Sequence, residues 1–155
     1  MNMITIEPFN FIGIAIKTSN DDINKLSQDM QSLWNKFMSE NIMALIPNKI
    51  SNEIYCAYTD YEGDYTKPYY ALLGSKVKNI DHIPDSLTGK SFSGGKYIKK
   101  IAKGNILAGI VFDAWKDIWT MDTPRSYIAD FEVYGDRAQN PENAEIEILV
   151  GVKKI

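Results

Sequence analysis

A single glutamate among aromatic residues is the most promising chemical group in this sequence. Residues 123–135 read TPRSYIADFEVYG, so Glu132 follows Phe131 and stands two residues before Tyr134. Burial disfavours the charged form of a carboxylate and raises its pKa unless a partner compensates. If Glu132 is buried without such a partner, a cationic aromatic compound would supply the missing charge, and its rings would stack on Trp and Tyr side chains for about 0.5–2 kcal/mol per contact. Glu132 is therefore the candidate functional charge.

Two other interpretations of Glu132 compete with ligand binding. A carboxylate with a raised pKa next to a tyrosine can act as a general base on water or as an acid toward an opening ring, which would suit a hydrolase. Strand alternation places Glu132 on the face opposite Phe131. Taken alone, that pattern predicts a solvent-facing side chain, because glutamate is rarely buried without a partner.

The other residue types that commonly perform catalysis or bind metals are isolated in this sequence. His82 and Cys56 are the single histidine and the single cysteine, and they fall in unrelated segments. Neither a Ser-His-Asp nor a Cys-His arrangement can be built from them, and no ligand spacing for zinc exists. We expect His82 in a loop, Cys56 in the core, and neither a metal nor a cofactor.

Length, composition and charge favour one globular domain over residues 1–155. The chain has 155 residues, of which 45% are hydrophobic and 12% aromatic, enough for a sizeable core. The net charge of -3 argues against direct nucleic-acid binding. The apolar runs are much shorter than the roughly 20 residues of a membrane span, and no signal-peptide pattern is present. We therefore expect a cytoplasmic protein.

The first half of the chain predicts a strand, a helix and a hairpin. Residues 3–18 are rich in Ile and Phe and form the first predicted strand. A helix is predicted over residues 21–41, capped by Ser19 or Asn20, because apolar residues recur there at three- and four-residue steps. Two β-prone segments, 54–62 and 69–78, flank a polar turn and should pair as a hairpin.

The second half predicts the same order of elements. A linker rich in Pro, Gly and Ser over residues 84–95 leads to a strand at 96–102, a helix at 105–121 capped by Asn105, and strands at 123–135 and 144–153. On that helix Phe112, Trp115 and Trp119 share one flank. The flank either packs against a sheet or forms the wall of a pocket for a flat ligand.

Strand, helix, strand, strand therefore occurs twice, over about residues 3–78 and 92–155. Trp34 of the first helix aligns with Trp115 of the second, although few letters agree. A duplicated βαββ unit predicts an α+β fold with an antiparallel sheet, two helices and a ligand cleft at the pseudo-two-fold axis.

Four motifs of the second half resemble the GyrI-like small-molecule-binding family, the effector-binding domain of AraC- and MerR-type regulators. They are Ser93-Gly94-Gly95-Lys96-Tyr97, the Trp115–Trp119 helix, the stretch from Asp130 to Gly135, and residues 145–150. The similarity is clear over residues 90–153 and looser over residues 11–77. Their order and spacing together are fairly specific.

The resemblance implies an aromatic pocket for lipophilic, often cationic, compounds, with Glu132 as the pocket glutamate. The ligand-binding residues expected beside it are Trp34, Tyr69, Tyr97, Trp115, Trp119 and Tyr134. In regulators of this kind the domain is joined to a helix-turn-helix module, for which residues 1–155 leave no room, so a stand-alone member is expected.

The resemblance also leaves two alternatives to a plain binder. Stand-alone relatives are linked to hydrolysis of reactive electrophiles, with Glu132 as the catalytic group, or to protein binding such as gyrase inhibition. A binder is favoured over an enzyme, because the sequence contains no second group to activate water. A protein-binding module would need an exposed apolar or charged patch, which the sequence does not display.

Overall fold

Antiparallel strands and short helices make up the structure, a computed structural model that describes residues 2–153. None of the helices in this part of the chain is long and apolar enough to cross a membrane. The strands are β1 (Asn2–Ile6), β2 (Phe9–Thr18), β3 (Ile54–Thr59), β4 (Tyr69–Val77), β5 (Thr88–Phe92), β6 (Gly95–Gly104), β7 (Arg125–Tyr134) and β8 (Ala144–Val152). The α-helices are α1 (Ile23–Ser39), α2 (Ile42–Leu45) and α3 (Ile110–Trp119).

The strands of residues 2–153 form one sheet in the order β1-β6-β8-β7-β3-β4-β2-β5. This order is symmetric about the contact between β7 and β3. On one side lie the strands of a β6-α3-β7-β8 unit, on the other those of a β2-α1-β3-β4 unit, and β1 and β5 are added at the two edges. The predicted α+β fold with a duplicated βαββ unit is confirmed.

The two faces of the sheet bury different cores. Helices α1 and α3 cover one face, where Leu33 and Phe37 of α1 are buried in one cluster and Trp115 and Ile118 of α3 in another. The opposite face is closed by aromatic and aliphatic side chains of the strands themselves, including Phe11, Tyr55, Phe92, Tyr97 and Phe131. A space remains between α1 and α3 above the centre of the sheet.

Two strand predictions are wrong, for local reasons. Residues 3–18 form two strands, because Pro8 interrupts the run and β1 pairs with β6 while β2 pairs with β4. The predicted linker at 84–95 contains β5, which pairs with β2. Only Phe92 of this edge strand is buried, so its sequence carries no alternating apolar signal. The predicted hairpin is confirmed as β3 and β4.

The helices begin and end slightly differently from the prediction. Asp22, rather than Ser19 or Asn20, caps α1 by accepting a hydrogen bond from the Lys25 backbone N–H. The second predicted helix is divided, because Gly109 has φ 82° and separates a 3-10 turn at Ile106–Ala108 from α3. Asn105 caps that turn as predicted.

The isolated histidine and cysteine lie where the sequence indicates. His82 is exposed in a loop between β4 and β5, and Cys56 is fully buried in β3. Neither side chain lines the cavity described below.

We predict that Gly74→Ala destabilises the fold by about 2–3 kcal/mol, since backbone atoms cannot yield to an added methyl group. Gly74 faces Gly13 across the β2–β4 ladder. A Cβ atom at Gly74 would overlap the Ile12 carbonyl oxygen and lie 2.7 Å from the Gly13 Cα atom. Urea unfolding measures the change in free energy.

The matched control is Gly63→Ala, whose added Cβ meets only the flexible Lys67 side chain. It should change the free energy of unfolding by less than about 0.5 kcal/mol. Equal effects of the two substitutions would contradict the close approach of β2 and β4.

Candidate functional site

A large cavity occupies the space between α1, α3 and the central strands. Its volume is about 1590 Å³. Aromatic side chains from both halves of the chain contribute to its walls. They are Trp34, Tyr58, Tyr61, Tyr65, Tyr69, Phe112, Trp115, Trp119 and Tyr134.

Glu132 lies at the inner wall of this cavity and accepts three hydrogen bonds. Its Oε2 atom accepts from the Tyr58 hydroxyl and from the Trp115 indole N–H, each over 2.7 Å, and its Oε1 atom accepts from the Tyr134 hydroxyl over 2.6 Å. The residue is 2% exposed. The solvent-facing prediction from strand alternation is therefore wrong, because α1 and α3 cover the face that it assigned to water.

The backbone register explains how these groups meet. Glu132 on β7 is paired with Cys56 on β3, and Tyr58, two residues farther along β3, projects from the same face. Tyr134, two residues after Glu132 on β7, projects from this face as well. Trp115 reaches Glu132 from the buried side of α3. The three donors thus come from three separate elements that the fold brings together.

Burial raises the pKa of Glu132 above its ordinary value, although the hydrogen bonds from Tyr134, Tyr58 and Trp115 oppose the shift. Burial also raises the pKa of the Tyr58 and Tyr134 hydroxyls, and the nearby Glu132 charge adds to this. Both tyrosines therefore stay protonated and remain hydrogen-bond donors to the carboxylate.

Most of the aromatic residues predicted for the site surround Glu132. The Trp34 and Tyr134 rings meet edge to face with their centres 4.9 Å apart, and Tyr69 meets Tyr58 at 5.7 Å. Trp119 stacks on Tyr65 at 5.8 Å, with ring planes 9° apart. Together with Trp115, these residues line the cavity.

Tyr97 was predicted for the site but lies elsewhere. It is buried on the opposite face of the sheet, with its ring centre 5.7 Å from that of Phe131, and it does not line the cavity. The reason is the orientation of β6, which pairs with both β1 and β8 and directs Tyr97 away from the helices.

Several residues of the site were not predicted. Tyr61 and Tyr65 come from the loop between β3 and β4, and no sequence periodicity marks loop residues for a pocket. Tyr58 could have been identified, because it alternates with Cys56 on the apolar face of β3. Arg125 and Asp130 were also not predicted for the cavity or its surroundings.

Asp130 and Arg125 form a second buried polar cluster beside the first. Arg125 Nη2 donates to Asp130 Oδ2 over 2.8 Å, and the Tyr61 hydroxyl donates to the same oxygen. The Gly151 backbone N–H donates to Asp130 Oδ1 over 2.8 Å. Burial raises the pKa of Asp130, and the Arg125 charge opposes that shift. The pair is close to neutral as a unit.

Negative charge prevails along the cavity walls. Among the described lining residues, the carboxylates are Glu53, Glu132 and Asp136, and the one cation is Arg125. Arg125 pairs with Asp130, so it does not neutralise Glu132. No group of three His, Cys, Asp or Glu side chains within residues 2–153 is arranged to hold a metal ion.

Comparison with known proteins identifies the family. The sequence profile of Cass2, the integron-associated effector binding protein, matches residues 2–152. The chain belongs to this family. The expected relationship to GyrI-like effector-binding domains is thereby confirmed.

Relatives with similar sequences or structures span nearly the whole chain. YobU of Bacillus subtilis (strain 168), named as a candidate transcriptional regulator, is 26% identical over 93% of this chain and 92% of its own length. The integron cassette protein VCH_CASS2 from the mobile metagenome of Vibrio cholerae has a TM-score of 0.77 and 27% identity, covering 98% of this chain and 95% of its own.

A third related structure contains a ligand. SAV2435 bound to tetraphenylphosphonium superimposes with a TM-score of 0.79 at 16% identity, covering 98% of this chain and 93% of its own. At that identity the likeness concerns the fold.

The stability of the protein should report the raised pKa of Glu132. A group with a higher pKa in the folded state binds protons more tightly there, so its contribution to stability is fully present below the unfolded pKa, about 4.5. That contribution is lost as pH rises through the folded pKa. Glu132→Gln removes it, and the Tyr134 hydroxyl can turn to accept from the new amide.

We therefore expect the wild type to lose stability relative to Glu132→Gln as pH rises from mildly acidic to mildly alkaline. Urea midpoints of both proteins across this range measure the difference. Asp130 is present in both proteins, so its contribution to the pH dependence of stability cancels in the comparison. A difference that stays constant with pH would contradict the raised pKa.

Proposed function

We propose that this protein binds lipophilic, cationic aromatic compounds in the cavity, with Glu132 as the charge partner. The observation that carries the proposal is a buried carboxylate in an aromatic cavity. Within residues 2–153 it accepts three hydrogen bonds but pairs with no lysine or arginine. Hydrogen bonds from neutral donors only partly replace the hydration of a buried charge. A cationic ligand supplies the missing charge.

The aromatic walls fit the rest of such a ligand. Trp34, Tyr69, Trp115, Trp119 and Tyr134 come from both halves of the chain and offer ring faces and edges on several sides. A cation near such rings gains about 0.5–2 kcal/mol per contact, and flat apolar groups gain a similar amount by stacking. A neutral compound would gain the stacking alone.

The family and the related proteins also support the binding of a small molecule. Membership in an effector-binding family favours small-molecule binding, and the structural neighbour SAV2435 is a complex with tetraphenylphosphonium, a lipophilic cation. The relative YobU is connected by its name to transcriptional regulation. For this chain we propose effector binding or sequestration, in association with regulation of that kind.

Glu132→Gln should weaken binding of tetraphenylphosphonium by roughly 10- to 100-fold, because the attraction between unit charges roughly 6–8 Å apart is worth about 2–3 kcal/mol at an effective dielectric constant of about 20, and each tenfold in affinity is about 1.4 kcal/mol. Quenching of tryptophan fluorescence measures the affinity, since Trp34, Trp115 and Trp119 all line the cavity. Triphenylmethane, which is neutral and has no hydrogen-bond acceptor, should bind both proteins with equal affinity.

The matched control is Glu147→Gln, which removes a carboxylate that pairs with Lys99 outside the cavity. Its affinity for tetraphenylphosphonium should equal that of the wild type. Unchanged affinity of Glu132→Gln would show that the carboxylate is not the charge partner.

A hydrolase remains the second prediction, because the raised pKa of Glu132 suits a general acid or base. If the protein turns over epoxide- or cyclopropane-bearing compounds, Glu132→Gln should lower the rate by roughly 10²- to 10⁴-fold while binding survives. Mass spectrometry of the products measures this. Consumption by wild type and variant at the uncatalysed rate would exclude the hydrolase for that class of substrate.

A further inference from the structure

Two strongly exposed apolar side chains line the cavity, and we call them the apolar rim. Leu107, in the turn before α3, is 88% exposed, and Met38, the next to last residue of α1, is 64% exposed. Neither belongs to a buried cluster of residues 2–153. A single exposed apolar residue is ordinary, but two beside one cavity mark a surface that a ligand can cover. The cavity therefore has uncovered apolar surface where it meets solvent.

The two residues of the apolar rim lie at the same end of the cavity. Asn20, just before α1, donates its side-chain N–H to the Tyr65 carbonyl oxygen over 2.8 Å, and the Tyr65 ring stacks on Trp119, the last residue of α3. The start of α1 and the end of α3 thus share one end of the cavity. Because β3 and β7, the strands after the two helices, are antiparallel, α1 and α3 also run in opposite directions. Met38 and Leu107 therefore share the other end.

The wall formed by α3 leads from Glu132 to the apolar rim. Trp115 donates its indole N–H to Glu132 over 2.7 Å. Phe112 lies three residues earlier on the same flank, so the Cβ atoms of Phe112 and Trp115 are about 5–6 Å apart. From Trp115 back to Ile110 the helix spans about 7.5 Å, at about 1.5 Å per residue, and the turn that carries Leu107 comes directly before it. The distance from Glu132 to Leu107 is thus on the order of 10–15 Å, which a dodecyl chain can span.

The wall formed by α1 makes the same connection. Tyr134 donates its hydroxyl to Glu132 over 2.6 Å, and the rings of Tyr134 and Trp34 meet with their centres 4.9 Å apart. Met38 follows Trp34 by four residues, so it lies one turn farther along the same face of α1. Both residues line the cavity. Apolar side chains on two walls therefore connect the buried carboxylate with the apolar rim.

The size of the cavity and the charges of this end indicate what covers the apolar rim. The volume of about 1590 Å³ is larger than the roughly 300–1,000 Å³ of ordinary ligand pockets, so a compact cation fills only part of it. Glu53, before β3, and Asp136, after β7, are the carboxylates of this end. Asp136 is exposed and Glu53 is half-buried, so water and salt screen their attraction for a second charge. Covering Leu107 and Met38 with apolar groups is the larger gain.

We propose that the apolar rim binds the alkyl chain of a cationic amphiphile whose charged centre lies at Glu132. The ligand class is then a quaternary ammonium or phosphonium ion with one long chain, rather than a compact cation. Glu132 selects for charge, and Leu107 and Met38 select for chain length. This inference rests on the proposed binding of cations and specifies which cations are preferred.

The test compares butyltriphenylphosphonium with dodecyltriphenylphosphonium, which carry the same charged group. Tryptophan fluorescence of the full chain, titrated below the concentration at which the dodecyl compound forms micelles, measures both affinities. A longer chain is more hydrophobic in any apolar site, so the wild type should bind the dodecyl compound more tightly. The decisive quantity is the change in this affinity ratio on substitution.

Leu107→Ser should lower the ratio of dodecyl to butyl affinity by about tenfold, because the chain loses its apolar contact with the leucine side chain. The double variant with Met38→Ser should lower the ratio further. Both side chains are exposed, so neither substitution removes core packing. The butyl chain is too short to reach the apolar rim, so the loss should fall on the dodecyl compound.

Two matched controls replace exposed isoleucines. Ile23→Ser changes a residue that lines the opposite end of the cavity, at the start of α1, and Ile128→Ser changes one outside the cavity. Both variants should keep the affinity ratio of the wild type. The first control identifies the end that holds the chain, and the second measures non-specific adsorption of the amphiphile to apolar surface.

The outcomes separate this inference from the proposed function. An unchanged ratio in the double variant, or an equal loss in Ile23→Ser, overturns the chain subsite and leaves cation binding intact. Tighter binding of (ω-aminododecyl)triphenylphosphonium than of the dodecyl compound would show that Glu53 and Asp136 hold a second charge at this end, which also overturns it. Absence of binding by every phosphonium ion would contradict both proposals.

Discussion

Removing the carboxylate of Glu132 from water is the constraint on which the rest of the site depends. Two tyrosine hydroxyls and one indole N–H must point to it, and they come from β3, β7 and α3. Each donor requires its element to lie in one register or orientation. The positions of the central strands and of α3 therefore depend on this polar group as well as on the apolar residues around it. The pKa of Glu132 is raised because the three hydrogen bonds only partly offset the cost of burying its charge.

The two buried polar clusters, one around Asp130 and one around Glu132, lie next to each other on β7 and differ in their charge balance. Asp130 and Glu132 are two residues apart on β7, and both carboxyls are buried. Asp130 forms an ion pair with Arg125, and this pair is close to neutral, whereas Glu132 accepts hydrogen bonds from neutral donors only. The protein thus keeps one structural and one unbalanced carboxylate side by side, and the unbalanced one faces the aromatic cavity.

The sequence predicted the parts of the fold that local patterns encode. The α1 stripe, the β3–β4 hairpin and the repeated element order all follow from periodicity and turn residues. What it could not predict depends on long-range placement. The alternation of residues on β7 could not reveal that helices cover the face of the sheet that carries Glu132. The sequence of β6 could not reveal that Tyr97 points to the opposite face. The edge strand β5 has no apolar periodicity, because only its Phe92 is buried. Only the family resemblance assigned Glu132 to a pocket.

The symmetric strand order has a consequence for how the two halves diverged. The two halves can be aligned by placing Gly74 of β4 opposite Gly151 of β8. Tyr58 of β3 then corresponds to Glu132 of β7, because their strand partners, Ala71 and Ile148, each lie three residues before the aligned glycine. Identical halves would present either two glutamates, which would repel each other when buried, or two tyrosines without charge. The site therefore depends on different residues at equivalent positions of the two halves, and the Tyr58 hydroxyl of one half donates a hydrogen bond to Glu132 of the other.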